Sequence, residues 1–418
     1  MTDAPASVPE PPCTDALPPR SSAAAGHVAG RLRAVRRPFD AIEPAAWDAL
    51  VAATPWATPF SRWAFHRAWW DAYGANAHDQ TTILVPADAP DDAAPVAIAP
   101  LMHRHAVEPD DAVLRTRARL DGAALTPVAA TAKAVFFGAS YHADYATFLC
   151  PPDLVPDAAR ALTEALLGPP SAAAGDSEPW DVIDLRRLRA DDPTAEALVE
   201  AFHAAGAGDA GLGAGAVGSG AVASVAVMLE REDVCPVVTL GAGMDFDAYL
   251  GTLGKKERHE IRRKIRRAES AGEVRFEDST EPSGDLDLFI ELHQKRWGGD
   301  GLFPATPGGD QSRVFFRRLL ELGVPAGFVR LSFAAVGGRR VAAGLSFVDD
   351  GTAYFYNAGV DPDARDLSPG VLMSALAIGD AIAAGRRRFD YLRGDEAYKY
   401  EWGAVNEEIR RVLVVRTA

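Results

Sequence analysis

Cysteine is scarce here. The three in 418 residues, Cys13, Cys150 and Cys235, lie far apart. They form no C-x-x-C zinc spacing and no disulfide framework, which fits a reducing compartment. No apolar run approaches the roughly 20 residues that a membrane helix needs. The opening stretch MTDAPASVPEPPCTDALPPR lacks a basic n-region and an apolar h-region, and its prolines would break a signal helix. The expected location is therefore cytoplasmic. Positive charge is also in short supply: Lys+Arg 43 against Asp+Glu 58 leaves a net charge of −15. Such acidity argues against DNA or an anionic membrane as a general partner, while leaving room for a local basic site. What remains is globular in composition, 48% hydrophobic and 24% charged, and long enough for two or three domains.

Residues 1–30, rich in Pro, Ala and Ser, read as a disordered tail. A helix with an aromatic face follows at 63–73, where Phe65, Trp69, Trp70 and Tyr73 suit core packing. Then come the strand-like runs TTILV, VAIAPLM, AVFFGA, YATFLC and WDVIDLRRL, and a Gly/Ala-rich linker at 206–223. After Cys235 the pattern restarts. MDFDAYLGTLGKKERHEIRRKIRRAESAG is helical with a break near Gly254, and VRFED is a strand. LDLFIELHQKRW and SRVFFRRLLELG are helices. GFVRLSFAAV, RVAAGLSFV and TAYFYNAGV form a meander whose first turn is Gly337-Gly338. SPGVLMSALAIGDAIAAG is an apolar, buried helix, and RFDYLR and EIRRVLVVR are strands. This gives an α/β chain with a mixed sheet in two domains, 31–235 and 236–418. A strand–loop–helix–strand unit recurs in both, setting Asp184 and Asp390 at matching places.

Chemistry concentrates after the last helix. In RFDYLRGDEAYKYEWG the strand ends at Asp390, and Arg393, Glu396, Tyr398, Lys399 and Tyr400 crowd the loop that follows. Acids, phenols and a lysine at a strand's C-terminal end suit proton transfer; the plainer reading is a polar loop whose charges pair. Ser368, Pro369 and Gly370 begin a helix whose free N–H groups suit a phosphate, with Arg365 just upstream. Asp361, Asp363 and Asp366 crowd the same loop. KKERHEIRRKIRR sets Arg258, Arg262 and Arg266 on one cationic helix face, either simply solvated or a site for a phosphate-bearing substrate or tRNA. His293, Arg296 and Trp297 share a helix, and His293 is a reserve candidate for a base. His103 and His105 lack a third ligand, so no metal site is expected.

These segments together resemble a known family. RHEIRRKIRR (258–267), LHQKRW (292–297), SPGVLM (368–373) and above all FDYLRGDEAYKYEWG (389–403) resemble acyltransferases of the GNAT fold. The likeness is to the branch associated with cellulose or exopolysaccharide biosynthesis, kin to the Fem peptidoglycan aminoacyltransferases. WAFHRAWWDAYG (63–74) and ADYATFL (143–149) resemble that family's first half. The resemblance implies two tandem GNAT-like domains with acetyl-CoA or another acyl-CoA as co-substrate and no permanently bound cofactor. In the family an R/Q-x-x-G-x-G/A loop cradles the coenzyme A pyrophosphate; here Arg365 to Gly370 carries serine where the first glycine belongs. The implied donor contacts are Ala358, Gly359, Arg365, Ser368 and Gly370. Asp390 or Glu396 would be the base, backed by His293; Tyr398 or Tyr400 would protonate the leaving thiolate, and Lys399 would offset negative charge. Arg258, Arg262, Arg266, Arg296, Trp297 and Arg393 would face a small or carrier-linked sugar acceptor. Transfer from aminoacyl-tRNA and a non-catalytic scaffold of a polysaccharide synthesis complex are the alternatives.

Overall fold

The computed structural model describes residues 31–104, 125–129, 131–168, 179–207, 225–298 and 301–417. The expected tail at 1–30 and nearly all of the expected linker at 206–223 lie outside the described residues. The first half comprises β1 (Leu32–Arg36), α1 (Pro44–Ala53), α2 (Trp63–Tyr73), β2 (His78–Asp79), β3 (Thr82–Pro86), β4 (Ala97–Ala99), β5 (Leu101–Arg104), β6 (Ala134–Phe137), α3 (Val155–Leu167), β7 (Val182–Arg189) and α4 (Thr194–Ala207). The second runs through β8 (Val225–Thr239), α5 (Phe246–Thr252), α6 (Lys255–Ala271), β9 (Val274–Asp278), α7 (Pro282–Trp297) and α8 (Pro307–Gly323). It continues as β10 (Val329–Val336), β11 (Arg339–Val348), β12 (Thr352–Val360), α9 (Pro369–Ala383), β13 (Arg388–Asp390), α10 (Ala397–Glu401) and β14 (Val405–Arg416).

Local chemistry fixes many of these ends. Asp245 caps α5 by accepting the Ala248 N–H at 2.7 Å. Proline stands in the first turn of α1, α7, α8 and α9, where its missing N–H is harmless. Gly337 and Gly338 both take positive φ, 58° and 82°, as a tight hairpin turn between β10 and β11 requires. Pro100, with no N–H to give, splits the run VAIAPLM: β4 joins a three-stranded sheet β1-β3-β4, whereas β5 joins the main sheet.

The main sheet has eleven strands among the described residues, in the order β2-β5-β6-β7-β14-β8-β13-β12-β11-β10-β9. It is mixed: β6 with β7 and β12 with β13 are parallel, joined across α3 and α9, while the other pairs are antiparallel. The fold is α/β with two halves that share this sheet. Each half completes the other. β14, from the end of the chain, lies against β7 of the first half; β8, from its middle, lies against β13 of the second. The boundary expected at 235/236 falls inside β8, which is continuous from Val225 to Thr239.

One expected strand fails to form. YATFLC makes a single bridge, Leu149 to Ile98, and AVFF supplies the parallel partner of β7 instead. Asp144 and Tyr145 are drawn into polar contacts at the centre of the molecule, which takes that stretch out of the ladder.

Candidate active site

The two parallel strand pairs each part company and leave a wedge. In the second half β12 meets β13 only from Thr352 to Tyr354, opposite Arg388 to Asp390. β12 then runs on beside β11, with Tyr356 bulged where the register shifts between Phe355 and Asn357. The chain beyond β13 follows β8 instead: the Tyr391 N–H donates to Pro236 O at 3.0 Å and the Gly394 N–H to Val234 O at 3.1 Å. The wedge therefore lies between 355–360 and 391–399.

Both polar backbone groups of Ala358 are met by side chains. Its N–H donates to Asn357 Oδ1 at 2.8 Å, and its C=O accepts from Arg296 at 3.2 Å. Arg296 also hydrogen-bonds Tyr398 across the wedge and lies 4.6 Å from the centroid of the half-exposed Trp297 ring. Gly359 has a different task. A Cβ there would stand 2.4 Å from His293 N and 2.5 Å from Leu292 C, so glycine lets α7 sit directly on β12.

Ser368, at the start of α9, takes a left-handed conformation with φ 53°. Its C=O accepts from Val371 and Leu372, both at 3.0 Å, and its Oγ accepts from Arg267 at 2.6 Å. Gly370 and Arg365 are exposed beside it. Asp361 pairs with Arg339, which removes part of the negative charge from this loop. The cradle thus holds an arginine, Arg267, that the cationic-face reading did not select.

The loop after β13 is stiffer than its composition suggests. Lys399 is buried and donates to the carbonyls of Leu392, Arg393 and Gly394 at 3.1, 2.7 and 3.0 Å, with Glu396 at 2.9 Å. Its donors are spent, so it pins the loop rather than meeting a substrate, contrary to the expectation. Asp390 is corrected as well. It is buried, accepts from Tyr145 Oη and from the Leu392 N–H, both at 2.7 Å, and steadies Leu392 at φ 58°. Burial pushes its carboxyl up to about 6, and each oxygen already accepts a hydrogen bond. His293 is buried among Phe289 and Phe303, and burial lowers its imidazole to about 3, which makes it a weak base. Tyr400 points away, donating to Asn406 Oδ1 at 2.9 Å. Arg393 is held by Asp144 at 2.6 Å.

Of the expected residues, Glu396, Arg296 and Trp297 are exposed at the wedge and Tyr398 partly so, with Glu396 paired to Lys399 and Arg296 bonded to Tyr398. Burial, then the charge of Glu396, pushes the Tyr398 phenol up to about 12, so it carries its proton at neutral pH. Glu396 is exposed. Arg258 and Arg262 are engaged on α6, with Gly251 O at 3.1 Å and with Asp247 at 2.9 Å; Arg266 is exposed and lines an open cleft between α5 and α6.

The first-half wedge differs. β6 and β7 pair at Ala134–Val182 and Val135–Ile183, and the chain then turns back into the gap. The Ala146 N–H donates to Arg187 O at 3.0 Å and Arg187 Nη1 to Ala143 O at 2.7 Å, and the space left beside Ala143, Tyr145 and Phe137 holds about one water. Among the described residues, no group of His, Cys, Asp and Glu is placed to hold a metal, and no helix is long and apolar enough to cross a membrane.

Residues 255–400 match the family described as an acetyltransferase (GNAT) domain. The matched segment runs from α6 into α10 and so includes both walls of the wedge, the start of α9 and Tyr398. No curated protein matches the sequence. Among solved structures, FemX is similar over 89% of this chain and 96% of its own, with a TM-score of 0.56 at 12% identity. A conserved protein of unknown function from Bacteroides thetaiotaomicron VPI-5482 is similar over 90% of this chain and 98% of its own, with a TM-score of 0.51 at 12% identity. At such identities the likeness is one of fold, and it extends beyond the GNAT domain to both halves.

Residues 142–145 and Tyr356 escaped the sequence reading as site residues. The signal for 142–145 was the cluster SYHADY, a polar run out of keeping with the apolar strand before it.

Proposed function

We propose that the chain is an acyltransferase that moves an acetyl or related acyl group from an acyl-CoA to an amine or hydroxyl. The observation that carries this reading is the parting of β12 from β13, with Arg267 on Ser368 at the start of α9 and the protonated phenol of Tyr398 on the far wall. The thioester arm would lie along 355–360, its amides exchanging with the Asn357 and Arg296 side chains that now meet Ala358. Arg267, Arg365, Ser368 and the Gly370 amide would hold the donor's phosphate.

The acceptor's nitrogen or oxygen attacks the thioester carbonyl, and the carbon–sulfur bond breaks. Tyr398 gives its proton to the departing thiolate, and Glu396, directly or through water, takes the proton the acceptor releases. Holding both reactants side by side would supply much of the rate gain. Trp297, with Arg296 over its ring, suits a sugar face, which supports a sugar-bearing acceptor in surface polysaccharide metabolism. A second reading, transfer from aminoacyl-tRNA, is favoured by exposed Lys255, Lys256 and Arg266 on α6; steep loss of tRNA binding with salt is its signature.

Native mass spectrometry of the full chain against a panel of acyl-CoA thioesters tests the donor. We expect one thioester retained by the wild type and retention at least tenfold weaker in Arg267→Ala. A folded wild type that retains none sinks the acyl-CoA reading.

A further inference from the structure

The segment that closes the first wedge also reaches both walls of the second. Tyr145 Oη donates to Asp390 Oδ2 at 2.7 Å, and Asp144 Oδ1 accepts from Arg393 Nε at 2.6 Å; both contacts fall on the β13 wall. His142 Nδ1 lies 3.3 Å from Tyr356 Oη, the bulged residue of the β12 wall. The brace is itself fixed from behind. His142 Nε2 lies 2.9 Å from Tyr73 Oη, its ring stacks on Phe315 with centroids 4.5 Å apart, and Arg187 Nη1 donates to Ala143 O at 2.7 Å. His142, Asp144 and Tyr145 are all buried, so these contacts are shielded from water and from competing donors.

We infer that residues 142–145 of the first half set the opening of the second-half wedge, as positioning residues that hold its two walls at a fixed spacing. A residue of the brace that slackened would let β12 and the 391–399 loop move against each other while leaving the distant strands untouched. The first half then contributes to the transfer without a donor of its own, because its wedge is filled by this same segment. The geometry stands apart from the acyl-CoA reading; the consequence for turnover rests on that reading.

Hydrogen exchange followed by mass spectrometry on Tyr145→Phe and Asp144→Asn in the full chain separates the two. We expect amides of 355–360 and of 391–399 to exchange at least tenfold faster in both variants, with β10 and β11 unchanged. Wild-type exchange in either wall, or acceleration spread evenly through the sheet, overturns the brace. Should Asp144→Asn fail to fold, Tyr145→Phe, which removes one oxygen, decides alone. Where a thioester is retained, its affinity should fall about tenfold in Tyr145→Phe, and wild-type affinity would count against the inference. A wild type that retains no thioester removes the donor reading and leaves the exchange result to judge the brace.

Discussion

Asp184 and Asp390 stand third in the parallel strands of the two halves, Asp184 just past the last parallel pair, Val135–Ile183, and Asp390 in the last one, opposite Tyr354. Both are buried, and their surroundings are opposite. Asp184 is met by the fully buried Arg411 through two bonds, at 2.6 and 2.9 Å, and by Arg186. Asp390 has a phenol and a backbone N–H. The first half has closed its wedge and neutralised its acid with a fixed cation, as a structural unit should. The second keeps a strained turn and an unpaired carboxyl beside a gap, the kind of arrangement that persists where a site needs it.

The largest test of this contrast is Asp184→Asn. It takes from the buried Arg411 guanidinium its two-bond carboxylate partner and leaves only the partly buried Glu230, at 2.9 Å, and we expect a loss of about 3 kcal/mol in stability. Urea denaturation measures it. The double variant Asp184→Asn with Arg411→Met should recover part of the loss, since the buried guanidinium is gone and the Glu230 carboxylate left behind is partly exposed and still accepts from the Thr126 N–H at 3.0 Å. A single variant as stable as wild type would remove the claim that the first-half acid is structural.

Much of the second half was legible because its signals are local. The hairpin glycines, the proline-led apolar helix and the break at Gly254 each dictate one outcome from a few neighbouring residues, and the similar placing of Asp184 and Asp390 followed from repeated pattern. The roles inside the site were not legible, because burial decides them. Lys399 reads as a free cation until three carbonyls 5–7 residues back in the chain are seen to claim it. His293 reads as a base until Phe303 and Gly301 are packed against it. The contacts of His142, Asp144 and Tyr145 with Tyr356, Arg393 and Asp390 span more than 200 residues, and no spacing rule reports them.

A pair of glycines sharpens the contrast at smaller magnitude. A Cβ at Gly138, which leaves β6, would meet Pro100 O at 3.4 Å and His66 Nδ1 at 3.8 Å. That is near ordinary contact, so Gly138→Ala should change stability by less than about 0.5 kcal/mol. At Gly359 the same methyl strikes the backbone of α7, and we expect Gly359→Ala to cost about 1–3 kcal/mol. Thermal denaturation of both variants under one set of conditions decides. Equal effects would mean that α7 can ride away from β12, and the wedge would then lack a rigid wall.

The smallest expected effect has the most informative sign. Burial holds the Asp390 carboxyl near 6 in the folded chain, against about 4 when unfolded. Between those values the folded protein keeps a proton that the unfolded chain has released, so this group's share of stability falls as pH rises from about 4 to 6. Above pH 6 the folded state bears the penalty of a buried, unpaired charge. Asp390→Asn removes that charge while its amide can still accept from the Leu392 N–H and donate to Tyr145 Oη. We therefore expect Asp390→Asn to match the wild type near pH 4 and to exceed it by about 1–2 kcal/mol at pH 7.5, the reverse of the same substitution at Asp184. Urea denaturation at the two pH values reads the difference. If Asp390→Asn loses stability at pH 7.5 as Asp184→Asn does, then a cation reaches Asp390 in the folded protein and the two wedges are built alike. If it gains stability and turnover survives, the carboxyl holds the Leu392 turn and Glu396 carries the proton.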